Sequence, residues 1–312
     1  MSPSILLVEP GRADRNLFEE ILQAQGYRVS TACDGRGAIE LCASIRPDLV
    51  LLEISLPDSR GEEVCRQLKA DPKNRLTPVV LFGANAATEE KRIENDGGAD
   101  GVVSSSAGHP DPLQIVRTLL AIKTYVDAQA ESVLLSLARS IEARDPCTVG
   151  HCERLSALAA RLGARIKMTK DEVAALRVAG IVHDVGKVAV PDCILLKPGE
   201  LTPEEMDTMK VHPVVGEQIC APLKSFREVL PIVRHHHERM DGSGYPDGLL
   251  GEEIPLAARV LRTVDIFDAL TSERPYRGAL PRKKAFELMR EECRRGWSDP
   301  ELVSELQLMM RS

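Results

Sequence analysis

The chain has 312 residues, 43% of them hydrophobic, and 40 Lys and Arg stand against 47 Asp and Glu for a formal net charge of −7. Its length predicts two domains of ~100–200 residues each; its acidity excludes a general binder of nucleic-acid polymers or membrane surfaces, and no run of about 18 apolar residues predicts a membrane span. The N-terminus lacks a basic, apolar leader, and the eight cysteines lack paired spacing, so reduced thiols and a cytoplasmic location are expected.

Short apolar runs at 5–9, 27–32, 48–54, 78–82 and 101–105 alternate with helical stretches at 12–25, 35–45, 61–70 and 88–95. Continuous apolar runs suit strands buried on both faces. The alternation predicts a doubly wound α/β fold with five parallel strands over residues 1–111. In such sheets the functional crevice lies at the carboxyl ends of the strands, here Glu9, Glu53, Gly83 and Ser105.

The order resembles the receiver domain of two-component response regulators. Residues 48–57 followed by Gly61 are similar to that family's third strand and loop, and 78–82 and 98–100 to its fourth strand and the entry to its fifth. The resemblance implies an acidic pair for Mg²⁺, a phospho-accepting Asp, a switch Ser or Thr, and a Lys. This chain departs at all four: Pro10 follows Glu9, Glu53 replaces the Asp, Gly83 the switch hydroxyl, and Ser105 the Lys. Glu53, with about −1 charge, could imitate only part of the −1.5 to −2 of a phosphoryl group. A decayed pocket without a switch is the favoured reading.

Residues 113–145 contain neither Gly nor Pro. Apolar residues recur at Val116, Leu119, Leu120, Val126, Ala130, Val133, Leu134, Leu137 and Ile141, which predicts a long amphipathic connector helix over 112–144. Leu119, Val126 and Val133 are spaced by sevens, as are Ala130 and Leu137. That spacing fits a two-stranded coil and hence a homodimer, although Lys123 interrupts one seam; the alternative is packing on the second domain.

Residues 145–312 read as all-α. Thr169 with Glu172, and Thr202 with Glu205, are capping-box pairs, and Pro203 stands at a first helical position. Six of the seven histidines lie here: His151, His183, His212, His235, His236 and His237. An apolar run over 173–182 leads into His183-Asp184, with Lys187 three residues beyond. Burying such a pair is costly unless both groups are satisfied, either by a core hydrogen bond or by a metal. With Asp265, five imidazoles and two carboxylates are too many for one four-coordinate zinc. They suit two divalent ions sharing a carboxylate, and the mixed donors favour iron, manganese or cobalt over a thiolate zinc site. Glycines in the stretch 241–248 are expected to supply positive φ.

His183-Asp184-Val185-Gly186-Lys187, Gly244-Tyr245-Pro246 within 236–246, the stretches 197–202 and 212–216, and Arg274-Pro275-Tyr276-Arg277 together resemble the HD-GYP family of HD phosphohydrolases. The resemblance spans about 130–300. It implies hydrolysis of cyclic di-GMP to pGpG or GMP, with GGDEF-type or effector proteins as partners. It further implies one ion on His151, His183, Asp184 and Asp265, and a second on Asp184, His212, His236 and His237, Asp184 bridging. Iron or manganese comes first, then cobalt, nickel or zinc. The ions would clamp the phosphate and hold a hydroxide, with Lys187 on a phosphate oxygen and Arg274 and Arg277 on the second phosphate or a guanine edge. Asp268 is expected to orient the attacking water or protonate the leaving oxygen. Tyr245 either faces the substrate or packs under the site, and His235 is read as a structural neighbour. Some family members place a third-metal Glu four residues before the first ligand His. Cys147 stands there, so two ions are expected. A non-catalytic cyclic di-GMP sensor, or a hydrolase of another dinucleotide, is the alternative.

Overall fold

The computed structural model describes residues 2–83, 98–104, 112–144, 150–273 and 278–311. The expected helix at 88–95, together with Ser105, Cys147, Arg274 and Arg277, lies outside the described residues. The chain divides into two compact units, residues 1–130 with 222–224, and residues 131–221 with 225–312.

In the first unit, β1 (Ser4–Val8), β2 (Arg28–Ala32), β3 (Leu49–Glu53), β4 (Val79–Gly83) and β5 (Gly101–Ser104) form one parallel sheet in the order β2-β1-β3-β4-β5. Between them run α1 (Arg12–Ala24), α2 (Gly35–Ile45) and α3 (Gly61–Ala70). Strand side chains alternate between faces. Leu6, Val8, Val50 and Leu52 pack with Ala38 and Val64 on one side, while Ile5, Leu7, Leu49 and Leu51 pack with Leu22 and Val116 on the other. Both faces are covered, which is why the strands read as unbroken apolar runs.

The expected connector is one helix, α4 (Pro112–Arg144), and the division between units falls inside it. Val116, Leu120, Leu134, Ala138 and Ile141 are buried, whereas Tyr125 and Val133 are each 67% exposed. Among the described residues no helix is long and apolar enough to cross a membrane.

The second unit is helical: α5 (His151–Arg165), α6 (Lys170–Val182), a 3-10 turn (Val185–Ala189), α7 (Asp192–Leu195), α8 (Pro203–Met209), α9 (His212–Cys220), α10 (Leu230–His235), α11 (Leu256–Thr271), α12 (Arg282–Arg294) and α13 (Pro300–Met309). Both expected capping boxes form. The Thr169 hydroxyl accepts from the Glu172 amide at 3.2 Å, and the Glu172 carboxylate accepts from the Thr169 amide at 2.8 Å. The Thr202–Glu205 box is alike, at 3.3 and 2.8 Å.

Three glycines bring the histidine-bearing segments together. A methyl group on Gly180 would lie 2.6 Å from the Ser156 amide nitrogen, so α6 crosses α5 nearly backbone to backbone. On Gly186 it would lie 1.9 Å from the His212 carbonyl oxygen, and on Gly244 2.3 Å from the Arg239 amide nitrogen. Gly242 and Gly248 have the expected positive φ, 77° and 66°. Gly244 does not: it is glycine for close approach.

Candidate metal centre

Each histidine of the centre reaches it from a helix end. His183 caps the C-terminus of α6, His212 opens α9, His236 follows α10, and His151 opens α5. Gly150 gives α5 no side-chain cap. Glu142, from the last turn of α4, accepts from the Cys152 amide at 3.0 Å and takes that role.

The donors form two groups, in each of which one ligand atom per residue lies within 4.8 Å of the others. One is Asp184, His212, His236 and His237, and the other is His151, His183 and Asp265. Asp184 faces both: its Oδ1 lies 3.3 Å from His212 Nε2 and 3.9 Å from His236 Nε2, and its Oδ2 lies 3.3 Å from His183 Nε2. His151 Nε2 lies 3.5 Å from Asp265 Oδ1.

Proton accounting shows what this arrangement lacks. His212 Nδ1 donates to the Met209 carbonyl at 2.8 Å, and His236 Nδ1 to the Val233 carbonyl at 2.7 Å. The second nitrogen of each neutral ring is then an acceptor, and these two Nε2 atoms stand 3.3 Å apart. They face Asp184 Oδ1, which is buried with no hydrogen-bond partner. Protonating the rings would relieve the conflict. Yet burial, followed by the neighbouring imidazoles His183 and His212, holds His236 well below its ordinary pKa, and burial with His236 and His212 does the same to His237. Burial opposes ionisation of Asp184, but Lys187 and His183 outweigh it and hold its carboxyl well below its usual range. Converging lone pairs around an ionised, unpartnered oxygen fit divalent cations, with the Nδ1 bonds fixing the rings.

Residues 136–302 match the HD domain family, and residues 5–117 match the response regulator receiver domain. The chain is 33% identical over 301 residues to the cyclic di-GMP phosphodiesterase response regulator RpfG of Xanthomonas campestris pv. campestris, covering 88% of this chain and 80% of that protein. It is 32% identical to a cyclic di-GMP phosphodiesterase of Thermotoga maritima, over 91% of this chain and 84% of that one. A third relative, 3'3'-cGAMP-specific phosphodiesterase 3 of Vibrio cholerae, is 37% identical over 58% of this chain and 39% of its own length. The chain belongs to the HD-GYP response regulators. An HD domain implies divalent-metal binding.

The structure brings His151, His183, Asp184, His212, His236, His237 and Asp265 into two adjoining groups. Lys187 Nζ donates to Asp184 Oδ2 at 2.5 Å, beside both groups. Asp268 departs from expectation. Its side chain is 5% exposed, and its carboxylate accepts from His151 Nδ1 at 2.8 Å and from Arg154 Nε and Nη2 at 2.8 and 3.0 Å. Burial alone would raise its pKa, but His151 and Arg154 bring it down to about 2. Both its oxygens are engaged by His151 and Arg154. This geometry fits a residue that positions the His151 ring.

Tyr245 stacks on His237, ring centroids 4.8 Å apart at 27°, so the packing reading describes one face of its ring. His235 stays outside both donor groups: Nδ1 donates to the Pro231 carbonyl at 2.9 Å and Nε2 lies 2.9 Å from Asp247 Oδ2. Sequence reasoning missed Arg154, Glu142 and Glu238. Glu238 is buried, and its carboxylate accepts from the amides of Asp247, Gly248 and Leu249 at 2.7, 3.0 and 3.2 Å. An acid directly before a glycine-rich loop was its one sequence signal. Arg154 had a weaker one, its place one helical turn after His151.

Proposed function

We propose that this chain hydrolyses cyclic di-GMP to pGpG or GMP, using two divalent cations. One would be held by His151, His183, Asp184 and Asp265, and the other by Asp184, His212, His236 and His237. The observation that carries this reading is Asp184, whose Oδ1 is buried and unpartnered among imidazole nitrogens whose protons are committed elsewhere. When bound, the cations would neutralise the phosphodiester and activate water near pH 7. The protein's own residues do the rest. Asp268 and Arg154 fix the His151 ring, Tyr245 backs His237, and Lys187 places an ammonium where a phosphate oxygen would enter. Iron or manganese suits this donor set best.

The test is turnover of cyclic di-GMP after anaerobic loading with Fe²⁺ or Mn²⁺, with Asp184→Ala as control. Binding without turnover in every metal form would overturn the reading. The likeness to a 3'3'-cGAMP-specific relative makes that dinucleotide the second substrate to assay in parallel.

The receiver is read as unable to take up phosphate. Glu53 Oε1 lies 2.5 Å from where a side-chain carbon at Gly83 would begin, so the longer acid fills the space of a switch hydroxyl. Treatment with acetyl phosphate is expected to leave Glu53 unmodified. The exposed Val126, Val133 and Leu137 on α4 support pairing of two copies through this helix.

A further inference from the structure

The first unit contains a cleft of about 520 Å³ lined by α1, the carboxyl ends of the strands and the first turn of α4. That volume lies within the ~300–1,000 Å³ of small-molecule sites, which are mostly apolar with a few polar groups. Leu22, Leu51 and Val116 form its buried floor. Phe18 and Phe82 meet edge to face in its wall, centroids 5.5 Å apart.

Its polar groups are of one sign. Glu9, Asp14 and Glu53 line it, and among the described lining residues there is no Lys, Arg or His. Glu9 is 7% exposed, and its Oε1 accepts from the Gly11 amide at 2.8 Å. The Glu53 carboxyl is raised above its ordinary pKa by burial, and the charges of Glu9 and Asp14 add to this. A phosphoryl anion entering here would meet the carboxylates of Glu9, Asp14 and Glu53. Mg²⁺, which keeps several waters and binds through one or two carboxylates, would leave the apolar floor unmatched. A molecule with an apolar body and one positive charge satisfies both the floor and the acids.

We propose that this cleft binds a small amphipathic cation, its apolar body seated between Phe18 and Val116 and its ammonium or amidinium head against Glu9 and Glu53. The site is independent of the metal centre and of the activity proposed for it.

The test titrates the full-length protein with n-octylammonium, 1-octanol, octanoate and MgCl₂ by calorimetry. Saturable one-site binding of octylammonium is expected, with octanol roughly ten-fold weaker for want of one partly buried charge pair, and octanoate silent. Glu53→Gln is expected to remove most of the preference for octylammonium over octanol while leaving octanol binding unchanged. Ile21→Trp, at a position 37% exposed on the cleft's rim, is expected to weaken both. Hydrogen exchange is expected to slow at residues 113–116 when octylammonium is bound. The proposal is overturned by absent saturation, by octanoate binding as tightly as octylammonium, by Mg²⁺ displacing octylammonium, or by both variants binding like the parent.

Discussion

Replacing Asp268 by Asn separates a positioning role from a chemical one. The change keeps side-chain volume and removes the charge of a buried carboxylate that bonds His151 and the half-exposed Arg154. The carboxyl is held at about 2 instead of 3.8. A depression of that size corresponds to about 2 kcal/mol favouring the ionised form. Because the folded-state pKa is depressed, this stabilisation is present above about 3.8 and is lost as pH falls through about 2. At neutral pH, Asp268→Asn should therefore lower unfolding free energy by about 2 kcal/mol, measured by urea denaturation. It should also loosen His151 and weaken metal binding by ~10–100-fold, as loss of a ligand's supporting hydrogen bond does. Turnover at saturating Mn²⁺ should stay within a few-fold of the parent. A group that transfers a proton in the reaction would instead cost ~10²–10⁴ in rate. A variant with full metal content and such a rate loss would refute the positioning role, as would unchanged stability and metal affinity.

Gly186→Ala should destabilise by more than the ~1–3 kcal/mol usual for overpacking, since the added carbon would meet the His212 carbonyl and Gly216 amide and not a yielding side chain. Urea midpoint and bound-metal content should fall together; a parent-like midpoint would contradict the close approach. The Asp247 carboxyl is drawn down to about 2, first by Arg234; burial opposes this, and His235 adds to the lowering. Its contribution is present above about 3.8 and fades as pH falls through about 2, so pepsin cleavage within 241–250 should rise over that interval and be less pH-dependent in Asp247→Asn. If α4 pairs two copies as proposed, light scattering should give a dimer mass for the parent and a monomer mass for Val133→Asp, at a position two-thirds exposed, with helix content unaltered; equal masses would refute pairing through α4.

The sequence by itself determined the two kinds of unit and the donor set. Unbroken apolar runs such as Ile5–Val8 can bury both faces only within a covered parallel sheet. The two capping boxes fixed where α6 and α8 begin because their bonds span three residues and need no distant partner. His183-Asp184 and the paired His236 and His237 were legible as candidate ligands, and the resemblance to the HD-GYP family implied how they group. What the sequence could not decide was which acid serves which ring. Asp265 and Asp268 lie on one face of α11, yet Asp265 faces Nε2 of His151 while Asp268 takes its Nδ1 and Arg154. That division depends on how α5 crosses α11, more than a hundred residues away in sequence. Gly244 was misread because close approach to Arg239 is a property of the packed chain, whereas the positive φ of Gly242 and Gly248 follows from the turn itself. Only tertiary structure placed Glu142, Arg154 and Glu238, each of which bonds a backbone amide or carboxylate supplied by another segment.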